Sequence, residues 1–256
     1  MRELERDTEG MIEGRNAVTE ALRAGRAVDK LYIAKGDTDR TLSRLAAQAR
    51  KAGTVVVEAD RRKLDAMSRT HAHQGVIALA PVREYATVED IFQSAADKGE
   101  PPLLVVCDEL SDPHNLGAVI RTAECAGAHG VIIPKRRSVG LTYAVSKASA
   151  GAVEHLPVAR VQNLSVLIEE LKEKGLWCYA ADMDGEPWDR ADLTGPVALV
   201  IGSEGRGVSR LVRERCDGAL SLPIRGRVNS LNASVAAGVL CYEAVRQRAA
   251  CERSKP

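Results

Sequence analysis

Five short apolar runs in the second half of the chain constrain its fold most: residues 103–107, 130–133, 176–181, 197–201 and 219–222. Each is nearly continuous in hydrophobicity rather than alternating, which is how strands buried on both faces read. Helical patterns fall between them, at 116–126, 164–174, 208–216 and 230–248. Strands of that kind alternating with helices imply a parallel sheet with helices on both faces. The expectation is an α/β fold, and open α/β sheets bind ligands at their strand-to-helix turns.

Two of those turns are rich in glycine, amides and hydroxyls. One reads Ile201-Gly202-Ser203-Glu204-Gly205-Arg206-Gly207. The other runs from Leu222-Pro223-Ile224 through a basic gap to Asn229-Ser230-Leu231-Asn232-Ala233-Ser234. A carboxylate between two glycines can accept hydrogen bonds from ligand hydroxyls or orient a basic side chain, although glycine-rich turns are also common as plain turns. Caps explain one or two of Asn229, Ser230, Asn232 and Ser234, but not all four. Leu231, Val235, Gly238 and Tyr242 form one stripe of the following helix and read as core or subunit contact. After the first strand, Asp112-Pro113 makes a turn and Asn115 reads as the N-cap of a helix starting at Leu116. Gly117 and Arg121 share a face, and the glycine would leave room beside the guanidinium for a bulky anion. Neither G-x-G-x-x-G after the first strand nor G-x-x-x-x-G-K-[ST] is present, which disfavours a Rossmann dehydrogenase and a P-loop NTPase.

The front of the chain has its own rhythm. Residues 16–22 read as a helix, 30–34 as a strand, 41–52 as a helix, 54–57 as a strand, a helix capped by Asp60 through Met67, and 75–80 as a strand. This makes a compact α/β unit over residues 10–84. Residues 85–102 read as a linker holding one helix, with Thr87 as cap and Asp90 in its first turn. The pair Pro101-Pro102 marks the boundary before the larger domain, 103–248.

Composition excludes some classes. The six cysteines are scattered with no C-x-x-C pair, so no zinc cage or disulfide framework is indicated, and they read as small core residues. The five histidines lack metal-ligand spacing, and His71-x-His73 reads as a loop contacting substrate or solvent; no metal is expected. No apolar stretch nears the roughly 18 residues of a membrane span. The charged start, Met1-Arg2-Glu3-Leu4-Glu5-Arg6-Asp7, has no apolar signal region, so a cytoplasmic protein is expected. Net charge is +1, but residues 10–84 hold 14 Lys/Arg against 9 Asp/Glu. Aromatics are only 3% of the chain, too few for a base-stacking platform.

Taken in order, Asn115-Leu116-Gly117 with Arg121-Thr122-Ala123, then Ile201 to Gly205, then Leu222-Pro223-Ile224 with Ser230 to Ser234 resemble the SpoU (TrmH-like) family of RNA ribose 2′-O-methyltransferases in the SPOUT superfamily. The front segment, from Gly14-Arg15-Asn16-Ala17-Val18 to His73-Gln74-Gly75-Val76, is similar to the L30e-like RNA-binding domain of the 23S rRNA guanosine branch. The resemblance implies S-adenosylmethionine as cofactor, a deep trefoil knot that ordinary connection rules would exclude, and a homodimer whose active site is completed across the interface. It places cofactor contacts on Gly202, Leu222 and Leu231, and the catalytic set on Asn115, Arg121, Glu204, Ser230 and Asn232. The implied substrate is 23S rRNA or a ribosomal precursor particle, with methylation of a guanosine in the peptidyl-transferase region. A tRNA ribose methyltransferase and a non-catalytic RNA-binding protein are the alternatives.

Overall fold

The computed structural model describes residues 10–253, apart from Ala24, Asp37, Thr38, Arg69, His71 and Asn229. The chain divides into two compact units: residues up to Glu84 with Gly140–Tyr143, and the remainder.

The smaller unit contains β1 (Met11–Glu13), α1 (Arg15–Arg23), β2 (Lys30–Ala34), α2 (Arg40–Lys51), β3 (Val55–Ala59), α3 (Arg61–Met67) and β4 (Val76–Leu79). Its sheet has the order β1-β4-β2-β3, with β2 and β3 parallel and the β4 pairings antiparallel. Val18 of α1 and Leu42, Leu45, Ala46 and Ala49 of α2 pack on Leu31, Ile33, Val76 and Ala78. Leu64 of α3 packs with Ile77, Ala34 and Ala59 in a second cluster. The strand β1 is absent from the sequence reading because three residues are too short for a periodicity to show. Asp60 sits at the expected cap of α3 but makes no side-chain cap bond.

His73 departs from the expected contact with substrate or solvent. It is buried, its Nδ1 accepts from the Gly75 N–H at 3.0 Å, and its Nε2 therefore carries the proton and faces Asp65 Oδ1 at 2.9 Å. A backbone donor on one side and a carboxylate on the other make it a fixed structural histidine. Its expected companion His71 lies outside the described residues.

The larger unit runs through α4 (Val88–Lys98), β5 (Leu103–Cys107), α5 (Pro113–Cys125), β6 (Gly130–Pro134), α6 (Tyr143–Ala148), β7 (Val158–Val161), α7 (Leu164–Glu173), β8 (Trp177–Pro187), β9 (Val197–Ile201), α8 (Arg210–Arg215), β10 (Gly218–Ser221) and α9 (Ala233–Arg253). All six strands pair in parallel in the order β10-β8-β9-β5-β6-β7. The expected parallel sheet is present, with β7 and α6 added. Strands β5, β6 and β9 are buried at every position, as strands covered on both faces must be. One face packs against Ile91 of α4, Leu167, Ile168 and Leu171 of α7, and Val212 of α8. Helix α9 packs against α5 and β9.

Helix α4 corrects the linker expectation for 85–102. Its Thr87–Asp90 capping box and its Gly99 C-cap at φ 65° are as the residues suggest. Its Ile91, however, is fully buried in the core of the larger unit, and a Cβ on Gly130 would lie 2.5 Å from that side chain. The segment is a packed element, because one buried isoleucine stripe suffices to dock a short helix whose other faces are polar.

Strand order also locates the binding edge. From β5 the chain moves outward through β6 and β7, then returns on the other side as β8, β9 and β10. The connections after β5 and β9, neighbours in the sheet, therefore leave in opposite directions. At such a reversal a crevice opens beyond the carboxyl ends of the strands.

Candidate active site

At that reversal, β9 ends in Ile201 and the chain turns sharply. A Cβ on Gly202 would come within 1.9 Å of the Gly207 backbone carbon, so only glycine fits. Ser203 and Gly207 pair across the turn through Ser203 N–H to Gly207 O at 3.1 Å and the reverse bond at 2.9 Å. Gly205 and Gly207, at φ 82° and 66°, supply the left-handed backbone that closes it. Glu204 is thus held out on a rigid, closed turn. Asp108, at the end of β5, anchors the far side by accepting from the Ser209 N–H at 2.7 Å.

Opposite this turn stands α5. Its N-cap is Asp112, which accepts from the His114 N–H at 2.9 Å, and Pro113 takes the first turn. Asn115 is therefore inside the helix and buried, not its cap, because the Asp-Pro pair starts the helix three residues earlier than expected. That shift frees its amide. Asn115 Nδ2 donates to Glu204 Oε1 at 3.0 Å. Asn232 Nδ2 donates to Asn115 Oδ1 at 2.8 Å and to the same Glu204 oxygen. Three segments separated by up to 117 positions meet in one polar triangle.

Asn232 also starts α9, which begins at Ala233 rather than at Ser230. Its Oδ1 accepts from the Ser234 N–H at 2.9 Å and the Ser234 hydroxyl at 2.6 Å. With the oxygen committed to the helix start, the amide nitrogen has to face the carboxylate. Glu204 Oε2 has no protein partner among the described residues, so one carboxylate oxygen remains for a ligand.

Beside the triangle lies a cleft of about 300 Å³. Gly202, Leu222, Leu231, Glu204 and Ser230 all line it, together with Ile201, Leu220, Ala233, Ala236, Arg206, Asp182 and Met183. The cleft brings together Gly202, Leu222, Leu231, Glu204 and Ser230 of the expected site residues, the triangle adds Asn115 and Asn232 through Glu204, and Arg121 belongs to neither. That side chain is exposed on α5, and among the described residues it has no hydrogen-bond or ion-pair partner. Asn229 lies outside the described residues. The room expected beside Gly117 for an anion is filled: a Cβ there would lie 2.4 Å from Ala148 Cβ and 2.8 Å from Val145 O, so the glycine serves the packing of α6 on α5.

Asp182 and Met183 were not expected in the site. The expected strand covers residues 176–181. The strand instead continues to Pro187, pairing again with β10 beyond a register shift at Ala219/Leu220. Burial pushes the Asp182 carboxyl up, but hydrogen bonds from the Asp184 N–H and the Arg213 guanidinium outweigh it and hold it below its ordinary value. The only signal for it was position, at the carboxyl end of an inner strand.

The cysteines follow the core reading at Cys107, Cys178 and Cys241, which are buried; burial pushes the Cys178 and Cys241 thiols up to about 12. Among the described residues no cluster of His, Cys, Asp or Glu could hold a metal ion. None of the described helices is long and apolar enough to cross a membrane.

An α/β sheet whose reversal point carries a glycine-locked acidic turn, an asparagine pair and an apolar cleft defines a small-molecule site of the doubly wound class. The profile of the SpoU rRNA methylase family matches residues 102–242, and that of the RNA 2′-O ribose methyltransferase substrate-binding domain matches residues 11–86. The chain is 49% identical to YacO of Bacillus subtilis, which is named a TrmH family tRNA/rRNA methyltransferase, over 93% of this chain and 95% of that one. Among solved structures, the SpoU methyltransferase AviRb of Streptomyces viridochromogenes in complex with AdoMet aligns at TM-score 0.59 and 26% identity, covering 93% of this chain and 90% of the other. An AdoMet-bound rRNA methyltransferase of Sinorhizobium meliloti aligns at TM-score 0.58 and 26% identity, covering 96% and 90%. The chain belongs to the SpoU rRNA methylase family, in the wider group of TrmH-like RNA methyltransferases.

Proposed function

We propose that the chain transfers a methyl group from S-adenosylmethionine to a ribose 2′-hydroxyl of 23S rRNA, at a guanosine of the peptidyl-transferase region, and that it does so as a homodimer with the knotted threading of its superfamily. The observation that carries the chemistry is the Asn115–Glu204–Asn232 triangle at the mouth of the cleft. The guanosine and the 23S target rest on the likeness of residues 10–84 to the front domain of that branch.

The cleft suits the cofactor. Backbone at Gly202, Leu222 and Leu231 offers donors and acceptors, Ile201, Leu220 and Ala233 offer an apolar wall, and Asp182 offers a carboxylate for a cationic or hydroxyl-bearing group. When bound, the cofactor supplies an electrophilic methyl on a sulfonium. The protein's share is to hold the hydroxyl in line with it, worth several kcal/mol of a barrier. Glu204 Oε2 accepts the ribose hydroxyl, while the two asparagine amides hold its other oxygen and prevent the carboxylate from turning away. Ser230, on the cleft wall, contacts the nucleoside.

Arg121 acts on the developing alkoxide or the flanking phosphate rather than as a base, since a planar, delocalised guanidinium is built to donate hydrogen bonds to oxyanions. Its exposure on α5, with no partner among the described residues, fits a site completed by the second protomer. The exposed apolar residues Leu231, Val235 and Tyr242, at 42%, 50% and 51% exposure, fit the same dimer and correct any reading of this stripe as core. Gly238 lets α9 approach α5, where a Cβ would touch Thr122 at 3.3 Å.

Mapping ribose methylation across rRNA and tRNA in a deletion strain tests the substrate. Loss of a single 23S rRNA signal is expected; loss of a tRNA signal instead would replace the substrate, and absence of cofactor binding in calorimetry would sink the enzyme reading.

A further inference from the structure

The carboxyl edge of the larger sheet carries a second feature that the cleft does not use. β6 ends at Pro134 and continues as Lys135-Arg136-Arg137. Because the strands are parallel, this run leaves the sheet on the same edge as the turns after β5 and β9. At about 4.8 Å per strand, it starts about 5 Å along that edge from the Asn115 turn and about 10 Å from the Glu204 turn.

The segment is fixed in place. Ser138 Oγ and the Val139 N–H both donate to Leu110 O, at 3.0 and 2.9 Å, which staples the loop after β6 to the loop after β5. Arg137 donates to Glu109 Oε1 at 2.8 Å across the same pair of loops. Both residues sit in the left-handed region, at φ 57° and 56°. Glycine would occupy either position without strain. The chain instead carries an arginine and its carboxylate there, and strained non-glycine residues of this kind gather where a binding surface has to be held. Lys135 and Arg136 have no anionic partner among the described residues, and Arg136 is exposed. A solvated surface charge needs neither the staple nor the strain.

We infer that Lys135, Arg136 and Arg137 form a phosphate ledge that takes the backbone of the RNA strand beside the ribose entering the cleft. The inference rests on the methyltransferase reading and adds the element that holds the strand on the catalytic unit. No aromatic side chain accompanies the run, so it grips phosphodiesters without reading bases. Its contribution belongs in RNA binding, not in turnover.

The test compares K135Q/R136Q, R136Q alone and K174Q with the wild-type chain, by filter binding of purified 23S rRNA, and of bulk tRNA in parallel, across a salt series. Lys174 serves as control because it ends α7, at the amino edge of the sheet, over the Phe92 ring. Each lost phosphate contact removes about 0.7 from the log–log salt slope for single-stranded RNA. The double variant is expected to lose about 1.4 and the single variant about 0.7. The RNA KM should rise roughly tenfold with kcat within about twofold, and S-adenosylmethionine affinity should stay unchanged. An unchanged slope and KM in variants that still bind the cofactor would overturn the ledge, as would an equal loss in K174Q. A wild-type chain that binds RNA with this salt dependence but methylates none would instead overturn the methyltransferase reading, leaving the slope test of the ledge intact.

Discussion

Single residues decide the site through space and through amide orientation. Gly202 has no room for a methyl group, with the Gly207 carbon at 1.9 Å and the Val208 nitrogen at 2.1 Å from a built Cβ. Gly202→Ala has to push the 203–207 turn away from β9, and with it Glu204. S-adenosylmethionine binding is expected to fall by at least two orders of magnitude in calorimetry, while far-UV circular dichroism stays native; wild-type affinity in that variant would contradict the steric argument. Asn232 shows the second kind of control. Replacing it with Asp keeps the acceptor at the start of α9 but puts a carboxylate against Glu204, so Asn232→Asp should lose methyl transfer by at least 10²-fold with little change in melting temperature. These residues were legible in the sequence as a set, since Asn115, Glu204 and Asn232 stand in recognisable motifs. Their partners were not. Nothing in Asn115-Leu116-Gly117 tells that Asp112 takes the cap and leaves Asn115 free, nor that the space beside Gly117 is taken by Ala148.

Elements of secondary structure were legible where their pattern was long. The apolar strands 103–107 and 197–201 and the helices α2 and α7 lie within a residue or two of expectation, and α4 starts at its expected cap. Short or polar elements were not, because β1 has three residues, β7 four, and the extension of β8 is written in Asp, Gly and Glu. The far end of α9 shows another thing the pattern hides. Glu243 is 3% exposed yet charged: Arg246 donates two bonds of 2.7 Å to it and Gln247 a third of 2.9 Å. Gln247 and Arg248 then tie the helix to backbone carbonyls of Ala191, Leu193 and Gly195. The Arg246 bonds first of all hold the Glu243 carboxyl below its ordinary value. A carboxyl whose folded pKa lies below its unfolded value contributes stability above the unfolded value and loses it as pH falls through the folded one. Glu243→Gln should therefore cost roughly 1–2 kcal/mol near neutrality, discounted for the exposed Arg246 partner. The gap in melting temperature from wild type should be constant above about pH 5 and close below about pH 4. A gap that persists undiminished at pH 3 would show that packing, not charge, sets the cost.

At the scale of the whole molecule, the two units have separate cores and unequal reporters. Both tryptophans, Trp177 and Trp188, and all six cysteines fall outside residues 10–84. Tryptophan fluorescence and thiol accessibility therefore read the larger unit alone, whereas far-UV circular dichroism reads both. Within the larger unit Cys125 and Cys251 are exposed, while burial raises the thiols of Cys107, Cys178, Cys216 and Cys241. A thiol reagent should modify two cysteines at once in the folded chain and the other four only on unfolding, since the thiolate is the reactive form. The cleft proposed for S-adenosylmethionine also lies wholly within the larger unit. A ligand that binds only the folded unit stabilises it by RT ln(1 + [L]/Kd), about 2.7 kcal/mol at a hundredfold excess over Kd. Saturating cofactor should then move the denaturant midpoint seen by fluorescence and by the four protected thiols together. The part of the circular dichroism change belonging to residues 10–84 should stay where it was. If the whole circular dichroism transition moved with fluorescence, the two units would unfold as one cooperative body, and the separation of their cores would carry no energetic meaning.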